Sequence, residues 1–283
     1  MNIIQLLEQA QIGDLDTCRE CPLSPKRNTS IAFGTSCTDH GLDWRKESLA
    51  NSIFIARDPA NTTPQKTGRL CIVHNSENST DKTAQNSFDL WKAAISLNTE
   101  NSEASGYLKK HYWINSIMHG VTDKAIMETA RKHCSKVLQA QIRMLRPKIV
   151  IAAGTDAVNS LYDIGLISRD WQAVRRNFHY GAYMEKNSSW VDDKSISVYC
   201  TYHTSAGNVN RTIPPLYKPF ADDIEQRIKK KVEANKLENQ DLITAFLSKY
   251  HNTSYAPHQG MRYLLNHWLD IGVGIRTAYK DAT

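Results

Sequence analysis

Two patterns in this chain could do chemistry. One is a pair of thiols, Cys18-Arg19-Glu20-Cys21, followed by Pro22 and Pro25. A C-x-x-C spacing suits a metal ion, an iron–sulfur cluster or a redox pair. A redox pair of the thioredoxin kind calls for a preceding strand, whereas residues 1–17 have the pattern of a helix, so a metal or cluster is the better reading. The other pattern is a set of four polar or turn residues, Asp58, Asn115, Gly154 and His203, each closing or following a separate apolar run. If those runs are parallel strands of one sheet, the four residues meet at its carboxyl rim, where open α/β sheets place their ligands. Polar residues after strands are also what any loop supplies.

The elements that must position them can be read from the hydrophobic periodicity. Short apolar runs at 52–56, 112–117, 148–153 and 195–202 predict four strands. Helical spacing is seen at 84–97, at 123–145 with Val137, Leu138, Ile142 and Leu145 on its apolar side, and from Gly154 through Leu161. Pro147 closes the second of these helices. Strands alternating with helices predict an α/β fold, a three-layer αβα sandwich around a central four-stranded parallel sheet. Residues 60–82 are polar and rich in turn formers. Residues 222–251 form a charged helical stretch whose Lys229-Lys230-Lys231 run reads as a solvated face, and residues 257–279 are apolar enough to pack. The expected organisation is therefore an α/β domain over 1–221 and a C-terminal helical extension over 222–283 packed on it.

Composition sets outer limits. Over 283 residues, 41% are hydrophobic and 23% charged, with no apolar run long enough to span a bilayer. The first 18 residues lack the basic start and apolar core of a secretory signal, so a cytoplasmic, membrane-free protein is expected. Six cysteines in that setting are expected as thiols rather than disulfides. A net charge of +6 favours a polyanionic partner, although a mildly basic enzyme without one has the same balance.

Taken in order, the segments resemble the iron–sulfur branch of the uracil-DNA glycosylase superfamily. The similarity runs from about Cys18 to about Pro215 and is strongest over Cys134 to Leu161, CSKVLQAQIRMLRPKIVIAAGTDAVNSL. The Cys18-x-x-Cys21-Pro22-Leu23 start, Lys66-Thr67-Gly68-Arg69, the strand ending in Asn115 and Tyr202-His203 also match. The resemblance implies a DNA glycosylase that flips its target base into a pocket at the sheet rim, with DNA as partner, and a monomer is expected.

Roles carry over on that resemblance. Asp58, in Ala56-Arg57-Asp58-Pro59-Ala60-Asn61, matches the aspartate that positions the attacking water, work a carboxylate does well because it also stabilises a sugar cation. An Asp before Pro serves equally as an Asx-turn or helix cap. Asn115 matches the asparagine that reads the pyrimidine edge, and its amide has the donor and acceptors to do so. His203 matches the histidine that donates to the pyrimidine O2 as charge builds there. The loop Ala206 to Arg211 resembles the segment that enters the minor groove, with Asn208 and Arg211, together with Arg69, as DNA-binding residues. Cys18, Cys21 and Cys134 match three of the four cluster ligands, and His119 stands in the place of the fourth. That set implies a [4Fe–4S] cluster, with a structural zinc in a Cys3His site as the alternative.

Two departures bear on the substrate. The tyrosine that closes the C5 side of the base in the uracil-excising branch is Ala60 here, and the aromatic that stacks on the base is Cys71. Losing that stack should cost about 1–3 kcal/mol. A catalytic aspartate in a roomier pocket predicts excision of a C5-modified pyrimidine, such as the glucosylated hydroxymethylcytosine of phage DNA, in antiviral defence. The alternatives are uracil excision in base-excision repair and a catalytically inactive DNA-binding relative.

Overall fold

The computed structural model describes residues 35–36, 51–57, 82–95, 107, 110–117, 124–191, 194–205, 223–235, 237, 240–251 and 258–280. Their elements run β1 (Thr35–Ser36), β2 (Ser52–Ala56), α1 (Lys82–Ile95), β3 (His111–Asn115), α2 (Met127–Leu145), β4 (Ile149–Ala153), α3 (Thr155–Asp163), α4 (Trp171–Val174), β5 (Tyr183–Val191), β6 (Lys194–Thr201), α5 (Ile224–Ala234), α6 (Gln240–His251) and α7 (His258–Lys280).

The four expected strands form one parallel sheet in the order β3-β2-β4-β6. All residues of β2, β3 and β4 are buried, as a parallel sheet covered on both sides requires. Alternation along the strands divides the core in two. Phe54, Trp113, Ile149, Ile151 and Ala153 face α1 and the C-terminal helices, with Leu90, Trp91, Leu264 and Trp268. Ile53, Ile55, Tyr112, Ile114, Val150, Ala152 and Val198 face α2 and α3, with Leu138, Ile142, Leu145, Val158 and Leu161. The expected αβα sandwich with a C-terminal helical extension is what the chain forms. Helix α2 stops where Pro147 demands it. Leu145 is its last residue, and Arg146 turns into the left-handed region at φ 47°.

The sheet is wider than the sequence indicated. Two antiparallel edges flank the parallel strands, β1 on β3 and β5 on β6. Strand β5, YMEKNSSWV, has too polar a composition to read as a strand, because one of its faces looks to solvent and its pairing is broken by a bulge between Asn187 and Val191. The third strand ends at Asn115, with Ser116 and Ile117 already bending away. The charged stretch 222–251 is two helices, α5 and α6. Its lysine run is also not uniformly solvated. Lys229 and Lys230 are exposed, but Lys231 turns inward to Asp270 of α7 at 2.7 Å. Helix α7 is part of the core, with Trp268 stacked on Phe54 at a 5.8 Å centroid distance.

Candidate active site at the carboxyl rim of the sheet

The strand register brings the ends of the parallel strands to one level. Ala56 pairs with Asn115, Ile55 with Ala152, and Ala153 with Thr201. Beyond this row lie Arg57, Ser116, Gly154, and Tyr202 with His203, so the chain segments that carry Asn115 and His203 leave the sheet from the same edge.

The rim is fastened across strands by its own backbone. Ser116 N donates to Ala56 O and Ile117 N to Arg57 O, both at 2.9 Å, and Ser116 Oγ donates to Arg57 O at 2.8 Å. On the other side Gly154 N donates to Thr201 O at 2.8 Å. Gly154 has φ +90°, and a Cβ there would sit 2.9 Å from the Cβ of His203. Only glycine relieves both the left-handed backbone and the contact, so the turn into α3 is what lets His203 lie against β4.

Asn115 is 1% exposed, on the same face of β3 as Trp113. Its amide nitrogen, Nδ2, makes no hydrogen bond among the described residues. A buried amide donor without a partner costs about 1–3 kcal/mol, and native proteins keep few of them. At the rim of an α/β sheet, such a donor is suited to a polar ligand edge.

His203 is held as a neutral imidazole of defined tautomer. Ser205 N donates to its Nδ1 at 3.0 Å, which places the ring proton on Nε2. Burial, reinforced by the positive charge of Arg57, lowers its pKa to about 4. The segment after it is anchored to α1. Ser87 Oγ donates to Thr83 O at 2.8 Å and so accepts from Thr204 Oγ1 at 2.5 Å, while Asn86 Nδ2 donates to Thr204 O at 3.0 Å. A neutral ring whose Nε2 already carries hydrogen can donate to an oxygen gaining negative charge without first having to gain a proton.

Four residues that shape the rim were not legible in the sequence. Arg57 brings charge to His203. Ser116 locks β3 to the turn that leaves β2. Asn86 and Ser87 hold the loop after His203. None carries a motif, because each acts through a contact between segments distant in sequence.

Cys134 is 6% exposed and packs with Ile117, Met127 and Ala130 beneath the end of β3. Asp58, Ala60, Arg69, Cys71, Asn208, Arg211, Cys18, Cys21 and His119 lie outside the described residues. Among the described residues no three His, Cys, Asp or Glu side chains are grouped to hold a metal, and no helix is long and apolar enough to cross a membrane.

A family model described as the Uracil DNA glycosylase superfamily matches residues 47–225, from just before β2 to the start of α5. The matched span includes Asp58, Asn115, Cys134 and His203 and leaves out Cys18, Cys21 and most of the C-terminal helices. No curated protein matches the chain. The match covers more than half of the sequence and coincides with the parallel sheet whose rim carries the orphaned amide and the neutral imidazole; the chain belongs to the uracil-DNA glycosylase superfamily.

Proposed function

We propose that this protein is a DNA N-glycosylase that extrudes a C5-modified pyrimidine and hydrolyses its bond to deoxyribose, leaving an abasic site. The observation that carries the enzymatic reading is the pair at the rim: a buried Asn115 Nδ2 with no partner among the described residues and a neutral His203 with hydrogen on Nε2. Superfamily membership supplies the reaction class.

In this reading Asn115 reads the donor–acceptor edge of the base. The N-glycosidic bond breaks with its electron pair passing to the base, and the sugar acquires oxocarbenium character. His203 Nε2–H donates to the pyrimidine O2 as it gains charge. Asp58, two residues beyond the end of β2, orients a water whose oxygen bonds to C1′ and takes up the proton released. Arg69, Asn208 and Arg211 are assigned to the DNA. Ala60 and Cys71 are small where relatives carry rings, which supports a base with a bulky C5 substituent and a role against phage whose DNA carries one.

The buried Cys134 fits a ligand set completed by Cys18, Cys21 and His119. A [4Fe–4S] cluster or zinc ion held there would tie the N-terminal segment to α2. A purified protein absorbing near 400 nm would indicate the cluster, and a colourless zinc-containing one the alternative.

The deciding assay incubates the protein with duplexes containing glucosylated hydroxymethylcytosine, hydroxymethylcytosine, cytosine or uracil and measures abasic sites by alkaline cleavage. Release of the C5-modified bases supports the proposal. Release of uracil alone transfers the function to base-excision repair. Binding without release from any substrate leaves a DNA-binding relative.

A further inference from the structure

Two stretches of chain meet at the rim through residues that carry no reaction chemistry of their own. One enters α1, the helix that follows the segment with Asp58, Ala60, Arg69 and Cys71. The other leaves β6 as Tyr202-His203-Thr204-Ser205. Two neighbouring residues of α1 hold Thr204 at two points. Ser87 Oγ accepts from Thr204 Oγ1 at 2.5 Å, and Asn86 Nδ2 donates to Thr204 O at 3.0 Å. Ser87 and Thr204 are fully buried.

A clasp of this kind could serve only to bind a loop to a helix. What takes it further is the identity of the carbonyl. Thr204 O and Ser205 N belong to one peptide group, and that Ser205 N–H is the donor to His203 Nδ1 at 3.0 Å. The peptide is trans, so its C=O and N–H point in opposite directions from one plane. Fixing the carbonyl on Asn86 therefore aims the N–H at the imidazole. A peptide turned over would offer Nδ1 a carbonyl instead. Nδ1 would then have to carry the hydrogen, and Nε2 would be left with a lone pair, unable to donate to an oxygen gaining charge.

Helix α1 is a fixed reference for this aim. Leu90 and Trp91 are fully buried against the sheet and α7. Asp89 accepts from Tyr250 Oη at 3.0 Å and from Lys249 Nζ at 2.6 Å, both on α6. Gly272 of α7 lies so close that a Cβ there would collide with Ala94 O, and Arg276 donates to the same carbonyl. We infer that Asn86 and Ser87 are positioning residues: by orienting the Thr204–Ser205 peptide they select the ring nitrogen on which His203 carries its hydrogen. The inference rests on the glycosylase reading for the use of that hydrogen.

The test follows the ring and the reaction separately on the full-length protein. Asn86→Asp replaces the donor by an acceptor of the same shape, which the Thr204 carbonyl must turn away from. Ser87→Ala removes the other hold. Nitrogen-15 NMR of histidine-labelled protein, with the His203 ring assigned by its absence in His203→Phe, should show a pyridine-like Nδ1 and a pyrrole-like Nε2 in the parent. In both variants the two signals should move towards each other. Single-turnover base release should fall about 100-fold in Asn86→Asp and about tenfold in Ser87→Ala, with DNA affinity by anisotropy unchanged. On a His203→Phe background neither substitution should lower release further, because the effect passes through the ring. Thermal melting checks that each variant is folded. A parent ring with hydrogen on Nδ1, or a parent-like ring in folded Asn86→Asp, overturns the inference. So does a loss of base release of the same size with and without His203. A ring that changes its tautomer in a protein that releases no base from any substrate leaves the inference standing and removes the glycosylase reading instead.

Discussion

Replacing Asn115 by leucine should abolish base release without weakening the fold. In most buried asparagines the substitution destroys hydrogen bonds and destabilises. Here the residue is 1% exposed and its buried Nδ2 has no partner among the described residues, so the folded protein already bears the desolvation of that donor, about 1–3 kcal/mol. Leucine keeps the branch at Cγ and removes the penalty, but it is larger, and packing strain of about 1 kcal/mol or more offsets the gain. The expected net change lies between zero and a stabilisation of about 1 kcal/mol, which for a chain of this size moves the melting temperature upward by no more than about 4 °C. Single-turnover base release, in contrast, should fall by about 100- to 1,000-fold, as it does when one oriented hydrogen-bond donor is removed from an active site. The two readouts are differential scanning fluorimetry and abasic-site formation on the best substrate. A melting temperature several degrees lower, with base release retained, would refute the reasoning: the amide would be a structural fastener and the rim would have lost its reader.

His203→Phe should also lose about 100- to 1,000-fold in base release while still binding DNA, measured by single-turnover kinetics beside anisotropy. The buried histidines set an acid limit on stability. The pKa values of His111 and His267 are lowered to about 3 and that of His203 to about 4, chiefly by burial. Their contribution is complete above the unfolded value near 6.5 and is lost as pH falls towards 4 and 3, because the unfolded chain takes up protons that the folded one refuses. Unfolding free energies from urea titrations should therefore fall on the order of 1 kcal/mol per histidine for each pH unit below 6.5, and values that stay flat from pH 7 to 4.5 would contradict this. Lys231→Met, which keeps the aliphatic stem, should cost about 2 kcal/mol in chemical denaturation by stranding Asp270, and a variant as stable as the parent would show the pair to be idle.

The sheet was legible because burial leaves a direct mark on sequence. β2, β3 and β4 are buried on both faces and read as unbroken apolar runs, and Pro147 could only end a helix. β5 was illegible for the same physical reason in reverse: a strand paired on one side and wet on one face carries no such run. The position of Asn115 and His203 at the rim was legible because they close strands. Arg57, Ser116, Asn86 and Ser87 were missed because their work is done across sequence gaps as wide as the 118 residues from Asn86 to Thr204. Lys231 was misread because a lysine run usually marks a solvated face. Only the fold reveals that α7 brings Asp270 up to the third lysine.

That same helix explains how a rim made of strand ends keeps its shape. His267 is fully buried, and both of its ring nitrogens are engaged: Thr201 Oγ1 donates to Nδ1 at 3.0 Å, and Nε2 donates to Phe178 O at 2.7 Å. One imidazole therefore joins the last residue of β6, two positions before His203, to the segment between α4 and β5. Protonation would put hydrogen on Nδ1 against the Thr201 hydroxyl, which must then turn its own hydrogen away. The family match ends at residue 225, before α7 begins, yet α7 supplies Trp268 beneath Phe54, Asp270 beneath Gly181 and His267 beneath Thr201. The chemistry assigned to residues 58–203 thus depends for its geometry on residues 258–280. Chemical groups at the rim can be inherited with a family, whereas the distances between them are set by whatever packs behind the sheet, and in this protein α7 is a principal part of that packing.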